Sequence, residues 1–172
     1  CVASCYQWAR RPVVHTRPQP AACPRGDVGA AQRSDTHPAV AAPELRGLLL
    51  AVYSLSWEYA WPVTTHTLHY TSHTRLPEAL ETWPVELMER LLPRHMQIIY
   101  LINWMHLEEQ ARQGKGDAAH VAAVSLIDES HGKRVRMGHL AFHGSRRVNG
   151  VSALHSDLLK STLFKPLHEL EP

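Results

Sequence analysis

Cysteine is scarce in this chain of 172 residues, and poorly placed: Cys1, Cys5 and Cys23 all lie within the first 23 positions. An odd count confined to one unpatterned segment does not build a disulfide framework, which points to a reducing compartment. Long apolar runs are lacking too. No stretch approaches the roughly 20 residues needed to cross a bilayer, so no membrane partner is expected. The start of the chain lacks the charged-then-apolar order of a signal peptide, and it lacks an initiator methionine. Both ends are expected to be cuts from a longer polypeptide. An excess of one charge is missing as well. A net charge of +2 gives no electrostatic argument for nucleic acid. There is no internal repeat and no low-complexity tract.

What is there is globular. A hydrophobic content of 44% with 20% charged residues suits one domain with a real core, or a piece of a larger one. Residues 1–27 stand apart. Pro12, Pro18, Pro20 and Pro24 block both helix propagation and ladder formation, so this segment is expected to be disordered or unrelated to the fold.

From Val28 onward strand and helix patterns alternate. Val28 to Gln32 reads as a short strand, and Pro43 with Leu45, Leu48 and Leu49 reads as a helix. Ser56 is a cap candidate for a second helix, and Thr67 to Thr74 carries β-formers. Leu87, Leu91, Ile98, Ile99, Ile102 and Met105 stripe a long helical stretch that Pro93 should break. Ala123 to Asp128 reads as a short strand or turn, Arg134 to Phe142 as a strand, and Asn149 to Lys160 as a helix. The alternation predicts an α/β fold with a mostly parallel sheet. In such sheets ligands bind beyond the carboxyl ends of the strands. Three polar segments follow apparent strand ends, at 34–38, 71–74 and 144–150, and are expected to line one crevice.

The chemistry legible in spacing alone is limited. Asp35, Thr36 and His37 offer a carboxylate, a hydroxyl and an imidazole, but no Cys or His-x-x-x-His pattern supplies that cluster with further ligands, so no metal is expected. A capping role is the plain alternative. His73 could hydrogen-bond a sugar hydroxyl or be an ordinary loop histidine. The turn 144–150 has two glycines and neither dinucleotide nor phosphate-loop spacing. The 13 histidines look scattered, and most should be surface residues.

Three stretches go further: DTHPAVAAPEL at 35–45, LSWEYAWPVTTHTLHYTSHTRLPEALETWPVELMERLLPRHMQIIYLIN at 55–103, and VRMGHLAFHGSRRVNGVSALHSDLLKSTLFKPLHELEP at 135–172. Together they resemble the α-glucan (glycogen and starch) phosphorylase family over about 145 residues. The resemblance implies part of a Rossmann-like, GT-B type glycosyltransferase domain, incomplete, with residues 28–172 forming part of its N-terminal domain. It implies phosphorolysis of terminal α-1,4-glucosidic bonds to glucose 1-phosphate, a cytoplasmic location, homodimers, glycogen and phosphate as partners, and pyridoxal phosphate as cofactor. By position His73 corresponds to the histidine that contacts the glucosyl unit. Val151 and Asn149 line the same sugar, and Asp35 and His37 form the acceptor-side edge.

This chain departs from the family pattern at several of those places. Arg33 and Ser34 replace Leu-Asn before Asp-Thr-His-Pro, Arg146 and Arg147 replace His-Ala after Gly-Ser, Ser72 replaces Asn, and His143 replaces a small or apolar residue. A buried arginine at position 33 should cost several kcal/mol unless it escapes. Arg146 and Arg147 are expected to obstruct the sugar site. The family's cofactor lysine belongs to a C-terminal domain not found in these residues, so the chain alone is expected to be inactive and to bind no pyridoxal phosphate. The alternative is a non-catalytic remnant that binds at most a glucan or a partner.

Overall fold

The computed structural model describes residues 30–74, 76–130 and 132–169. The expectation for residues 1–27, and all three cysteines, fall outside the described residues. Strand β1 (Ala31–Ser34) leads through a 3-10 turn (His37–Val40) into α1 (Ala41–Ala51), then α2 (Trp57–Thr67) and β2 (Leu68–Ser72). A second 3-10 turn (Pro77–Ala79) precedes β3 (Thr82–Pro84), α3 (Val85–Leu91) and α4 (Pro93–Arg112). The rest comprises α5 (Ala118–Val124), β4 (Ile127–Asp128), β5 (Arg134–Arg136), α6 (Met137–His143), β6 (Arg147–Gly150), α7 (Ala153–Ser161) and α8 (Lys165–His168).

The α/β class holds. Strands β1, β2 and β6 form a parallel sheet with β2 in the middle. Register places Ser34 beside Thr71 and Thr71 beside Asn149, so the three carboxyl ends lie side by side. A second, antiparallel sheet of order β3-β5-β4 was not foreseen.

The break at Pro93 is as expected: α3 ends at Leu91, and Pro93 opens α4 at a position where its missing N–H costs nothing. The stripe on α3 differs. Val85 and Met88 are buried there, while Leu91 is exposed. Met96, Ile98, Ile99 and Ile102 of α4 join Val124, Leu126, Val135, Met137, Leu140 and Phe164 in the main core. Burying each such side chain stabilises by about 1.5–3 kcal/mol. A smaller cluster (Ala42, Leu45, Leu49, Ala60 and Leu68) joins α1, α2 and β2.

Two expected elements are corrected. The apolar run after Arg134 is a strand only to Arg136 and is helical from Met137. A run of that length has no decisive period, and Met137, Leu140 and Ala141 bury one helical face. The segment 144–150 is not one turn. Gly144 and Ser145 turn the chain, and Arg147–Gly150 is the third strand of the parallel sheet, so Asn149 lies on β6 and not on a helix.

Arg33 does not escape. It is 4% exposed, and its Nη2 donates to the carbonyls of Ala141 (3.1 Å) and Gly144 (3.2 Å) and to Ser145 Oγ. The cation thus sits on the carbonyl end of α6, where the helix dipole favours it. Gly144 makes this junction possible, because a Cβ there would lie 2.6 Å from Ala42 Cβ. Gly144→Ala is therefore expected to destabilise the fold by about 1–3 kcal/mol, read as a lower urea midpoint with an unchanged slope.

Candidate functional site

The carboxyl ends of the parallel strands gather the residues singled out in the sequence. Asp35 follows β1 with φ of 73°, a left-handed conformation that Asp tolerates better than most residues. Its amide donates to Thr71 O at 3.1 Å, and its Oδ1 accepts from Thr36 N at 2.8 Å. This strained residue is thereby anchored at both ends, as backbone strain at functional positions generally must be.

His37 points back at the same group. Its Nδ1 is 2.7 Å from Glu81 Oε1, and its Nε2 is 3.6 Å from Asp35 Oδ2. Glu81 also accepts from Thr36 Oγ1 at 3.3 Å. Glu81 is a site residue that the sequence reading missed. It lies some 45 residues from the cluster it holds, and no local spacing announces it. Among the described residues no group of three or more His, Cys, Asp or Glu could hold a metal ion.

Neighbouring strands continue the row. Asn149 Oδ1 accepts from Thr71 Oγ1 at 3.1 Å, Gln32 Nε2 also donates to Thr71 Oγ1, and Asn149 Nδ2 donates to Gly150 O at 2.8 Å. Ser72 is buried and donates to Thr74 O at 3.2 Å. His73 is exposed in the loop after β2, and Val151 is 59% exposed just after β6. Asp35, His37, His73, Asn149 and Val151 thus all stand at one end of the sheet, on loops or strand ends of three adjacent strands.

Two expected members do not join them. Arg146 and Arg147 are exposed at the beginning of β6, the end of that strand away from Gly150. Arg146 N–H donates to Leu68 O at 2.9 Å, which fixes it beside the start of β2. They therefore lie at the other end of β6 from Asn149 and Val151, and not within the crevice where the sequence had placed them. Together with Arg33 they instead surround His69, whose pKa is lowered by burial first and then by Arg147, Arg146 and Arg33.

That amino-end region carries its own cavity of about 610 Å³, lined by residues including Trp57, Trp61, Trp104, His106, His143 and Arg146. The His106 and His143 ring centroids are 4.0 Å apart. Burial, then His120, pushes His106 down to about 4. Burial likewise takes His139 to about 4 and His143 well below the usual histidine range. Nε2 of His106, His120 and His143 is buried without a hydrogen-bond partner among the described residues. The histidines are therefore not all scattered surface residues. The i, i+4 spacing of His139 and His143 was the available signal.

A family model described as "Carbohydrate phosphorylase" matches residues 26–172. This chain belongs to the carbohydrate phosphorylase family. It is 51% identical over 146 residues to the liver form of glycogen phosphorylase from Bos taurus and to the muscle form from Mus musculus, and 50% identical to the muscle form from Homo sapiens. Each alignment covers 85% of this chain and 17% of the relative, so the chain spans about a sixth of the length of those proteins. A parallel sheet with helices is the architecture expected of part of an α/β glycosyltransferase domain of this family. Among the described residues no helix is long and apolar enough to cross a membrane.

Proposed function

We propose that these residues form one wall of the glucosyl site of a glucan phosphorylase, which cleaves a terminal α-1,4-glucosidic bond with phosphate and releases glucose 1-phosphate. The observation that carries this reading is the register of β1, β2 and β6, which brings Asp35, His73, Asn149 and Val151 to one end of the sheet. Sites of α/β sheets lie at that end.

In this reading His73 contacts the glucosyl unit from the loop after β2. Asn149 and Val151 line the same sugar, Val151 with its exposed apolar surface. Asp35 and His37, steadied by Glu81, form the acceptor-side edge and offer carboxylate and imidazole groups to glucan hydroxyls. Residues 28–172 would then be part of the N-terminal domain of a longer polypeptide, working in the cytoplasm as a homodimer on glycogen and phosphate.

Pyridoxal phosphate is the cofactor implied by the family. It needs a lysine amine and cationic partners for its phosphate. The chain's four lysines, Lys115, Lys133, Lys160 and Lys165, all lie outside the loops that follow β1, β2 and β6. The described residues do not fit the cofactor, and no step of the reaction is assigned to it on them.

The 172-residue chain alone should show no phosphorolysis of glycogen but should bind maltoheptaose weakly, in the millimolar range (about −4 kcal/mol). His73→Ala is expected to weaken that binding about fivefold to tenfold, the effect of one hydrogen bond. An isothermal titration in which His73→Ala binds as well as the unmutated chain would contradict the assignment. The alternative is a non-catalytic truncated remnant that acts at most as a glucan-binding or partner-binding module.

A further inference from the structure

We infer that His155 is a positioning residue that sets the spacing between the two loops carrying His73 and Val151. The inference rests on the glucosyl-pocket reading. His155 lies in the first turn of α7, is 4% exposed, and was not singled out in the sequence. Its two ring nitrogens engage backbone groups on different strand exits. Nδ1 is 3.2 Å from the Val151 amide, and Nε2 is 3.1 Å from Thr74 O, 81 residues away in sequence.

The partners themselves fix the tautomer. An amide N–H can only donate, so Nδ1 must present its lone pair. A carbonyl can only accept, so Nε2 must carry the proton. A neutral imidazole with hydrogen on Nε2 satisfies both at once. Because the ring is rigid, the exit of β2 at Thr74 and the exit of β6 at Val151 are held a fixed distance apart.

The ring has no room to swing. A Cβ on Gly150 would lie 2.8 Å from His155 Cγ and 2.9 Å from its Nδ1, so only glycine lets the β6 backbone rest against the imidazole. The next residue repeats the clamp, since Ser156 Oγ accepts from Gly150 N at 2.9 Å and donates to Ser152 O at 2.9 Å. Thr74 adjoins His73, and Val151 is itself bonded. Any movement of the ring is thereby passed to both sugar-facing residues, and shifts of about 1 Å at such positions weaken productive contacts strongly.

A purely structural helix-capping role is already filled by Ser152, whose Oγ accepts from His155 N at 3.1 Å. That bond uses the backbone of His155 and would survive loss of its ring. Among the described residues the ring's own bonds reach the two loops.

The test is NMR on the labelled 172-residue chain. Long-range proton–nitrogen spectra should show His155 in the Nε2–H form; the Nδ1–H form overturns the proposal. In His155→Leu, exchange of the Val151 amide should rise about tenfold or more while Ile99 and Leu126 keep their rates, and the His73 resonances should shift. His155→Gln, which can both accept and donate, should restore much of the Val151 protection. Unchanged Val151 exchange in His155→Leu, or a rise shared equally by Ile99 and Leu126, overturns the positioning role. If the leucine variant does not fold, the tautomer of the unmutated chain and the exchange of the glutamine variant decide. Failure of maltoheptaose to perturb His73 or Val151 in the unmutated chain would sink the pocket reading instead, and the exchange data would still judge the clamp.

Discussion

Arg46→Met should stabilise this protein by about 2 kcal/mol, or about 4–8 °C in Tm for a chain of this size. Arg46 is 0% exposed, and its guanidinium carbon lies 3.0 Å from the centre of the Trp57 ring and 4.8 Å from that of Trp61. Nη2 donates to the Trp57 carbonyl at 2.9 Å, while Nε and Nη1 find no acceptor among the described residues. Desolvation outweighs the attraction of Glu58 and lowers the Arg46 pKa from the usual arginine range to about 9. A cation–π contact worth up to about 2 kcal/mol opposes a desolvation penalty of several kcal/mol per buried ion. The penalty wins.

Methionine has similar length, adapts to irregular space and needs no partners. The sign with pH follows from the lowered value. The unfolded chain holds this proton more tightly than the fold does, so stability from this group rises only in alkaline solution above about pH 9. At neutral pH the penalty is fully present, and thermal melts at pH 7 read all of it. An unchanged or lower Tm for Arg46→Met would show that the indole contacts outweigh desolvation.

The second large effect is acid lability. His106 and His139 titrate in the fold at about 4 and in the unfolded chain near 6.5, and burial holds His143 well below the usual histidine range. As pH falls from 6.5 toward 4, the unfolded state takes up protons that the fold refuses, so stability must fall through that window. His106 and His139 each contribute on the order of 2 kcal/mol at full effect, and together they approach the whole stability of a marginal domain.

The groups facing them do little to relieve this. His106 faces His120 and His143, and His143 faces His106 and His139. His139 meets Arg136, which opposes protonation, and Asp128 and the Ala123 carbonyl, which favour it without offsetting burial. Urea midpoints should drop steeply from pH 6.5 to 4.5, and the double change His106→Phe with His143→Ala should flatten the profile. A midpoint independent of pH over that range would contradict the burial of these rings.

What could be read from the residues divides along physical lines. The helix break at Pro93 and the core strand around Tyr70 were legible because proline chemistry and β-propensity act locally. The helix at Met137 was not, because a short apolar run fits either period until its tertiary neighbours choose. Strand β6 was hidden by its glycine and by Arg147 and Asn149, whose exposed polar side chains leave Val148 as its one large apolar residue.

The site divides the same way. His73, Asp35 and Val151 are candidates that long matching motifs single out. Glu81 and His155 were missed because each acts across the fold, on partners 45 and 81 residues away. Arg33 looked like a defect from its substitution alone, yet it meets the carbonyl end of α6, whereas Arg46, which attracted no notice, is the costlier cation.

The central claim is that the carboxyl end of the parallel sheet is a sugar-facing surface. The most direct measurement is a residue-resolved NMR titration of the 172-residue chain with maltoheptaose. The account predicts saturable shifts concentrated at His73, Asn149, Val151 and Asp35. Shifts absent there, or confined to the cavity lined by Trp57, Trp61 and His143, would contradict it.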